Sequence, residues 1–169
     1  MSEILVDTRQ RRLRFAELDL ACTIGKGGAV AAEDKREGDG ATPLGLWPVR
    51  CVLLRPDRPL RNLRLRLPWR WVRPDDGWSD GASDPAYNRP VRHPHSYSAE
   101  RLWREDAAYD AIVVLGHNDA PPVPGMGSAI FFHVAPEGRD FTEGCVAIAS
   151  ADMQALLPRL APSDVMRIV

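Results

Sequence analysis

Gly127-Ser128-Ala129-Ile130-Phe131-Phe132-His133, followed after a short loop by Thr142-Glu143-Gly144-Cys145-Val146-Ala147-Ile148, is the part of the chain whose reading decides the fold. The first piece reads as an apolar strand that ends on a histidine. The second reads as a tight glycine turn presenting a cysteine at the start of another strand. Eleven residues, Val134 to Gly144, separate the two groups, enough chain to leave one strand and return beside it. Such a return brings an imidazole to a sulfur. A thiol needs a neighbouring base to become a good nucleophile at neutral pH, because the thiolate is the reactive species. Cys145 is therefore the candidate nucleophile and His133 the candidate base. Gly144 lets the backbone turn sharply, and the N–H groups of Gly144 and Cys145 can point at an oxyanion growing on an attacked carbonyl. A third group has to orient His133; a backbone carbonyl serves as well as a carboxylate, and the sequence leaves the choice open. The alternative is a buried structural cysteine and a core histidine.

Outward from this pair, Ile112-Val113-Val114-Leu115 is a continuous apolar run expected to form a central strand buried on both faces. It ends at Gly116-His117-Asn118, which makes His117 a rival base or a substrate contact. Asn118 and Ser128 are candidate cleft walls, and Thr142 is expected to hydrogen-bond within its turn or to substrate. Downstream, Ser150 is expected to cap a helix with Met153, Leu156, Leu157 and Leu160 on one face, before Val165 to Val169 close the chain as a strand.

Upstream, Ile4-Leu5-Val6, the alternating Leu13 and Phe15, and the period-two set Leu18, Leu20, Cys22 and Ile24 predict a three-stranded meander. Trp47, Val49, Cys51 and Leu53 predict another strand. Arg55 to Pro74 reads as an exposed, partly extended segment. From Asp75 to Ser98 regular periodicity disappears, and the stretch reads as a long lid, binding loop or structural Ω-loop. Its Trp78, Tyr87, Asn88 and Arg89 are candidate substrate contacts. Ser98 is expected to cap a short helix carrying Leu102 and Trp103. These expectations add up to one mostly β domain over residues 1–169 with one or two short helices.

Composition narrows the function classes. Hydrophobic content of 44% and charged content of 27% describe an ordinary globular chain. A net charge of −1 gives no electrostatic case for nucleic acid or an anionic membrane. Cys22, Cys51 and Cys145 cannot all pair within one chain, and Cys22 and Cys51 read as buried thiols. No stretch approaches the ~20 apolar residues of a membrane span. The N-terminus shows neither a basic n-region nor a long apolar h-region, so no secretory signal is expected there. Gly25, Gly27 and Gly28 lack the lysine-serine pair of a phosphate-binding loop. A zinc site from His93 and His95, or from His117, His133 and Cys145, lacks supporting ligand spacing.

The strand ending at His133, the block Thr142 to Ala147, and the turn segment Glu37-Gly38-Asp39-Gly40-Ala41-Thr42-Pro43-Leu44-Gly45 together resemble the YkuD-type L,D-transpeptidase catalytic domain. The resemblance extends from about Gly25 to the C-terminus. It implies a YkuD-like β-sandwich, a Cys145 thiolate, a His133 base, no metal or cofactor, and a peptidoglycan stem peptide as substrate for a chain acting as a monomer. It also implies a periplasmic or cell-wall setting and a part in wall biogenesis and cell shape. Where members near the family centre carry glycine after the histidine and arginine two residues past the cysteine, this chain has Val134 and Ala147. Arg89 and Arg139 are the candidates to replace that arginine. Alternatives from other classes are a thiol hydrolase of carboxypeptidase type and a catalytically silent wall-binding module.

Overall fold

The computed structural model describes residues 2–169. Three short strands open the chain, β1 (Glu3–Asp7), β2 (Arg12–Phe15) and β3 (Leu18–Thr23), and they pair antiparallel in sequence order as the meander predicts. A two-residue parallel pair follows, β4 (Ala29–Val30) with β5 (Thr42–Pro43). The long strand β6 (Gly45–Leu54) comes next, with β7 (Trp69–Trp71) parallel at its edge. A separate small sheet holds β8 (Asp76–Ser79), flanked by β9 (Pro90–Arg92) and β10 (Ala99–Arg101). The remaining elements are β11 (Ala111–Leu115), β12 (Phe131–Val134), β13 (Val146–Ile148), the helix α1 (Ser150–Leu156) and β14 (Val165–Ile168).

The main sheet runs β11-β12-β13-β3-β2-β1-β14-β6-β7, and β6 also pairs with β11, so eight strands close on one another. β6 makes this possible by its length. Gly45 to Pro48 pair with β14, while Val49 to Leu54 pair with β11. One strand thus belongs to both layers of a sandwich. Between the layers lie Ile4, Leu13, Val113, Phe132, Val146 and Ile168, with Met153 and Leu156 of α1 packed against them. Successive strand side chains point to opposite faces. The residues next to these therefore face outward, and Ile112, Val114, Phe131 and Cys145 form a second cluster with Trp78, Leu102 and Tyr109. The small sheet covers that outer face.

Several local expectations change. The segment before His133 does not run as one strand: Gly127 and Ala129 take positive φ (93° and 51°), which takes them out of the extended ladder, so β12 begins at Phe131 and passes through His133 to Val134. The stretch Asp75 to Ser98 is not a structureless loop; its strands are too short to show periodicity. The helix expected after Ser98 is the strand β10, paired with β8. At α1 the cap position is Ala149, with no side-chain cap bond, so Ser150 is the first helical residue and not the cap. In Arg55 to Pro74 the apolar Leu60 and Leu67 are buried, and so is Arg55, whose guanidinium grips Asp57 at 2.9 Å. Cys22 and Cys51 are free thiols, as expected. Among the described residues no helix is long and apolar enough to cross a membrane.

Phe132 is fully buried at the centre of the inner layer. Phe132→Ala is expected to cost about 3–5 kcal/mol, read as a lower urea midpoint with an unchanged slope.

Candidate active site

A cleft of about 350 Å³ opens on the outer face of β12 and β13, and both Cys145 and His133 line it. β12 and β13 run parallel with Phe132 opposite Val146 and His133 opposite Ala147. Cys145 therefore lies beside Phe131, one outward position before His133 along the neighbouring strand.

The turn that delivers Cys145 depends on Gly144. Its φ is +131°, and a Cβ there would sit 2.9 Å from the Ala41 carbonyl oxygen. No other residue fits that backbone. Thr142 ties the turn together: its hydroxyl donates to the Cys145 carbonyl (2.6 Å) and accepts from the Gly144 N–H (3.1 Å). Of Thr142's two anticipated roles, bonding within the turn is the one present. The Gly144 N–H is consequently occupied and does not point free toward an oxyanion. The Glu37–Gly45 segment supplies the opposing wall, anchored by Thr42, whose hydroxyl accepts from the Gly25 N–H at 2.8 Å.

The sulfur is not held as a thiolate. It donates to the Ala129 carbonyl (3.2 Å) and accepts from the Phe131 N–H (3.3 Å), and burial pushes the thiol up to about 12. His133 is uncharged as well, brought down to about 4 chiefly by burial. Its Nδ1 lies 2.8 Å from the Val134 carbonyl. A carbonyl only accepts, so Nδ1 carries the ring proton and Nε2 is the basic nitrogen. The orienting group that the sequence left open is thus a backbone carbonyl. Tyr109 stacks edge-on against the imidazole, with ring centres 5.2 Å apart. Thiol and imidazole share the cleft without a hydrogen bond between them.

Of the other candidates, Ser128 and Thr142 line the cleft, whereas Trp78, Tyr87, Asn88, Arg89, His117 and Asn118 do not. Their polar groups are taken up behind the wall. The Asn88 carboxamide oxygen accepts from Trp78 Nε1 (2.8 Å) and from the Ala129 N–H (3.1 Å), and its Nδ2 donates to the carbonyls of His117 and Asn118. Asn118 in turn bonds Val123 and Gly127, and Arg89 donates to the Asp119 carbonyl. The Tyr87 and Ser128 hydroxyls both donate to Glu37 Oε2, at 2.5 and 2.7 Å. His117 is buried beside Trp47 with its Nδ1 unpartnered, brought down to about 4 by burial, and does not join His133 and Cys145. Among the described residues no group of three or more His, Cys, Asp or Glu is placed to hold a metal.

The cleft also contains groups with no local signal in the sequence, Glu100 and Tyr109, joined by a 2.5 Å hydrogen bond, with Lys35 and Arg104; Arg139, a candidate from the sequence, lines it too. Glu100 comes from β10 and Tyr109 from the turn before β11. Only the closed fold brings them to Cys145.

Residues 2–168 match the family profile described as the YkuD L,D-transpeptidase catalytic domain. The chain belongs to this family. Its match over residues 2–168 extends the resemblance, read from about Gly25 onward, to the N-terminal meander. No curated protein matches the chain. Among solved structures, Bd1075 of Bdellovibrio bacteriovorus aligns over 99% of this chain and 47% of its own, at 16% identity and a TM-score of 0.52. The L,D-transpeptidase from Mycobacterium smegmatis aligns over 99% and 58%, at 10% identity and a TM-score of 0.48. L,D-transpeptidase 1 of Mycobacterium tuberculosis aligns over 99% and 58%, at 9% identity and a TM-score of 0.46. The chain spans about half the length of these proteins. With the family match over residues 2–168, the closed sandwich is the YkuD fold.

Two outcomes follow from this geometry. With a thiol at about 12, the thiolate fraction near pH 8 is ~10⁻⁴. Iodoacetamide labelling of Cys145, followed by peptide mass mapping, is expected to rise about tenfold per pH unit between about pH 7 and 10; a plateau below about pH 9 contradicts a neutral resting thiol. Asn88→Ala removes four hydrogen bonds, three of them buried, and is expected to destabilise by about 3 kcal/mol or more, measured by urea unfolding.

Proposed function

We propose that this chain is a cysteine-dependent L,D-transpeptidase that works on peptidoglycan stem peptides through a thioester on Cys145. The observation that carries the reading is the register of β12 and β13. It sets a buried thiol and an imidazole on one cleft wall, in a chain of this family.

The chemistry starts from two neutral groups. When a stem peptide fills the cleft, the Cys145 hydrogen leaves the Ala129 carbonyl and passes to His133 Nε2 as sulfur attacks the carbonyl of the third stem residue. Moving the proton at the moment of attack avoids holding an ion pair in a buried site, where separated charge is costly. The Phe131 N–H, already 3.3 Å from sulfur, stabilises negative charge on it. With the Gly144 N–H bonded to Thr142, the oxyanion role falls to the Cys145 N–H. Protonated His133 then gives its proton to the departing D-alanine amine. The thioester passes to an amine of a second stem, which cross-links, or to water, which trims.

The arginine absent at Ala147 has substitutes on the rim. Arg104 and Arg139 both line the cleft, whereas Arg89 is directed to Asp119. Arg104 is held by Asp106 at 2.7 Å and lies over the Tyr109 ring, a fixed guanidinium suited to a substrate carboxylate.

A carbapenem is a strained acyl donor for the same nucleophile. Intact-protein mass spectrometry is expected to show a single covalent adduct on the native chain and none on Cys145→Ser, with His133→Ala slowing adduct formation about 10²–10⁴-fold. A native chain that stays unmodified favours the silent wall-binding module. Incubation with a tetrapeptide stem and an amine acceptor then distinguishes transfer from trimming. Because His133 lies near 4, it loses base function only as pH falls through about 4, so kcat/KM is expected to show no break near 6.5.

A further inference from the structure

We infer that Glu100, held by Tyr109, is the site that receives the ammonium group of the acceptor and takes its first proton. The assignment rests on the thioester reading above and concerns its second half.

An amine attacks a thioester only as the free base, yet it arrives as an ammonium. His133 is occupied in the first half-reaction, and after D-alanine leaves it again holds a single basic nitrogen. Two protons must leave the acceptor nitrogen during transfer. The cleft offers a second proton acceptor in Glu100. Its Oε1 accepts from the Tyr109 hydroxyl at 2.5 Å, which fixes the carboxyl, and Glu100 is half-buried on β10 opposite Trp78. The Tyr109 ring meets both the His133 ring (5.2 Å) and the Phe131 ring (6.0 Å), so the carboxyl is tied to the residues that flank the sulfur. Asp80 lines the same cleft, and its Oδ1 is buried with no hydrogen-bond partner, a second carboxylate acceptor near Glu100. Burial raises the proton affinity of Glu100 above that of an ordinary glutamate, opposed by Tyr109 and Arg104 and reinforced by Asp80 and Glu37. Such a carboxylate both binds a cation and accepts its proton.

The step balances. The ammonium gives one proton to the Glu100 carboxylate and becomes an amine. Its nitrogen bonds the acyl carbon as the carbon–sulfur bond breaks. The remaining excess proton on nitrogen passes through His133 to the departing sulfur, restoring the Cys145 thiol. Glu100 then releases its proton to solvent.

The test measures how the acyl-enzyme partitions. Native chain, Glu100→Gln and Tyr109→Phe are supplied with a tetrapeptide stem and increasing acceptor, either a stem carrying a free ammonium or hydroxylamine, which is uncharged near pH 8. The ratio of amide to hydrolysed product does not depend on how fast the thioester forms. Glu100→Gln is expected to lower that ratio for the ammonium acceptor about tenfold or more and to leave it within about twofold for hydroxylamine. Tyr109→Phe, which keeps the carboxyl but frees it, is expected to shift the ratio in the same direction by less. A ratio unchanged in Glu100→Gln, or reduced equally for both acceptors, overturns the assignment while the thioester reading stands. If the native chain forms no thioester, that reading falls and the assignment with it.

Discussion

One side chain, the carboxamide of Asn88, fixes the geometry around the sulfur. Its oxygen holds the Trp78 indole and the Ala129 N–H, and its nitrogen holds the carbonyls of His117 and Asn118. Both donors and the acceptor of the amide are used, which is why asparagine suits the place and aspartate does not. Ala129 sits at a φ of 51°, a conformation alanine adopts only when its surroundings impose it. The Asn88 bond to its N–H imposes it, and the Ala129 carbonyl is thereby turned to the Cys145 thiol. A chain of three hydrogen-bonded groups thus runs from the small sheet, through a strained residue, to the candidate nucleophile. Asn88 itself takes a φ of 53°, so the node is strained at both ends and depends on being complete.

The electrostatics of the site follow from its burial. Cys145 and His133 sit in a water-poor wall, and each is pushed toward its neutral form. A resting thiolate–imidazolium pair would have to offset that desolvation with a direct contact, and no hydrogen bond joins them. A neutral thiol at rest is a poor nucleophile toward stray electrophiles. Both signs of charge line the same cleft: Lys35, Arg104 and Arg139, with Glu37, Asp80 and Glu100.

The sequence made the candidate pair legible for a physical reason. A tight turn needs glycine, an inner strand needs a run of apolar residues, and both signals are local, so Gly144-Cys145 and Phe131-Phe132-His133 could be read directly. The meander and β6 were legible through their alternation. The aromatic and polar groups of Asp75 to Ser98 were legible as important but not as to role. Trp78, Tyr87, Asn88 and Arg89 have the chemistry of ligand contacts, and that same hydrogen-bonding capacity is what a buried wall needs. Whether an asparagine faces a ligand or a backbone is decided by pairing between distant strands. Glu100 was unreadable for a related cause: β10 has three residues, too few for periodicity, and its partner Tyr109 meets it only through the fold.

The place of Ala147 bears on how charge is arranged around the candidate pair. Ala147 pairs with His133 in the ladder and faces the cleft, so an arginine there would project from the floor directly beside the imidazole. A fixed cation at that point favours a thiolate and disfavours a protonated His133. In this chain the floor is apolar, and the guanidinium groups reach the cleft from its walls. Arg104 is anchored by Asp106 and the Tyr109 ring, whereas the Arg139 side chain is 61% exposed and only 3.7 Å from the same aspartate. A fixed cation recognises a carboxylate with little ordering cost, and a mobile one adapts to substrates of different length. An apolar residue at Ala147 accords with the neutral resting thiol, because only the Phe131 N–H and, at longer range, the Lys35 ammonium favour the sulfur's anion. With Ala147 apolar and the thiol buried, the guanidinium groups that line the cleft are those of Arg104 and Arg139.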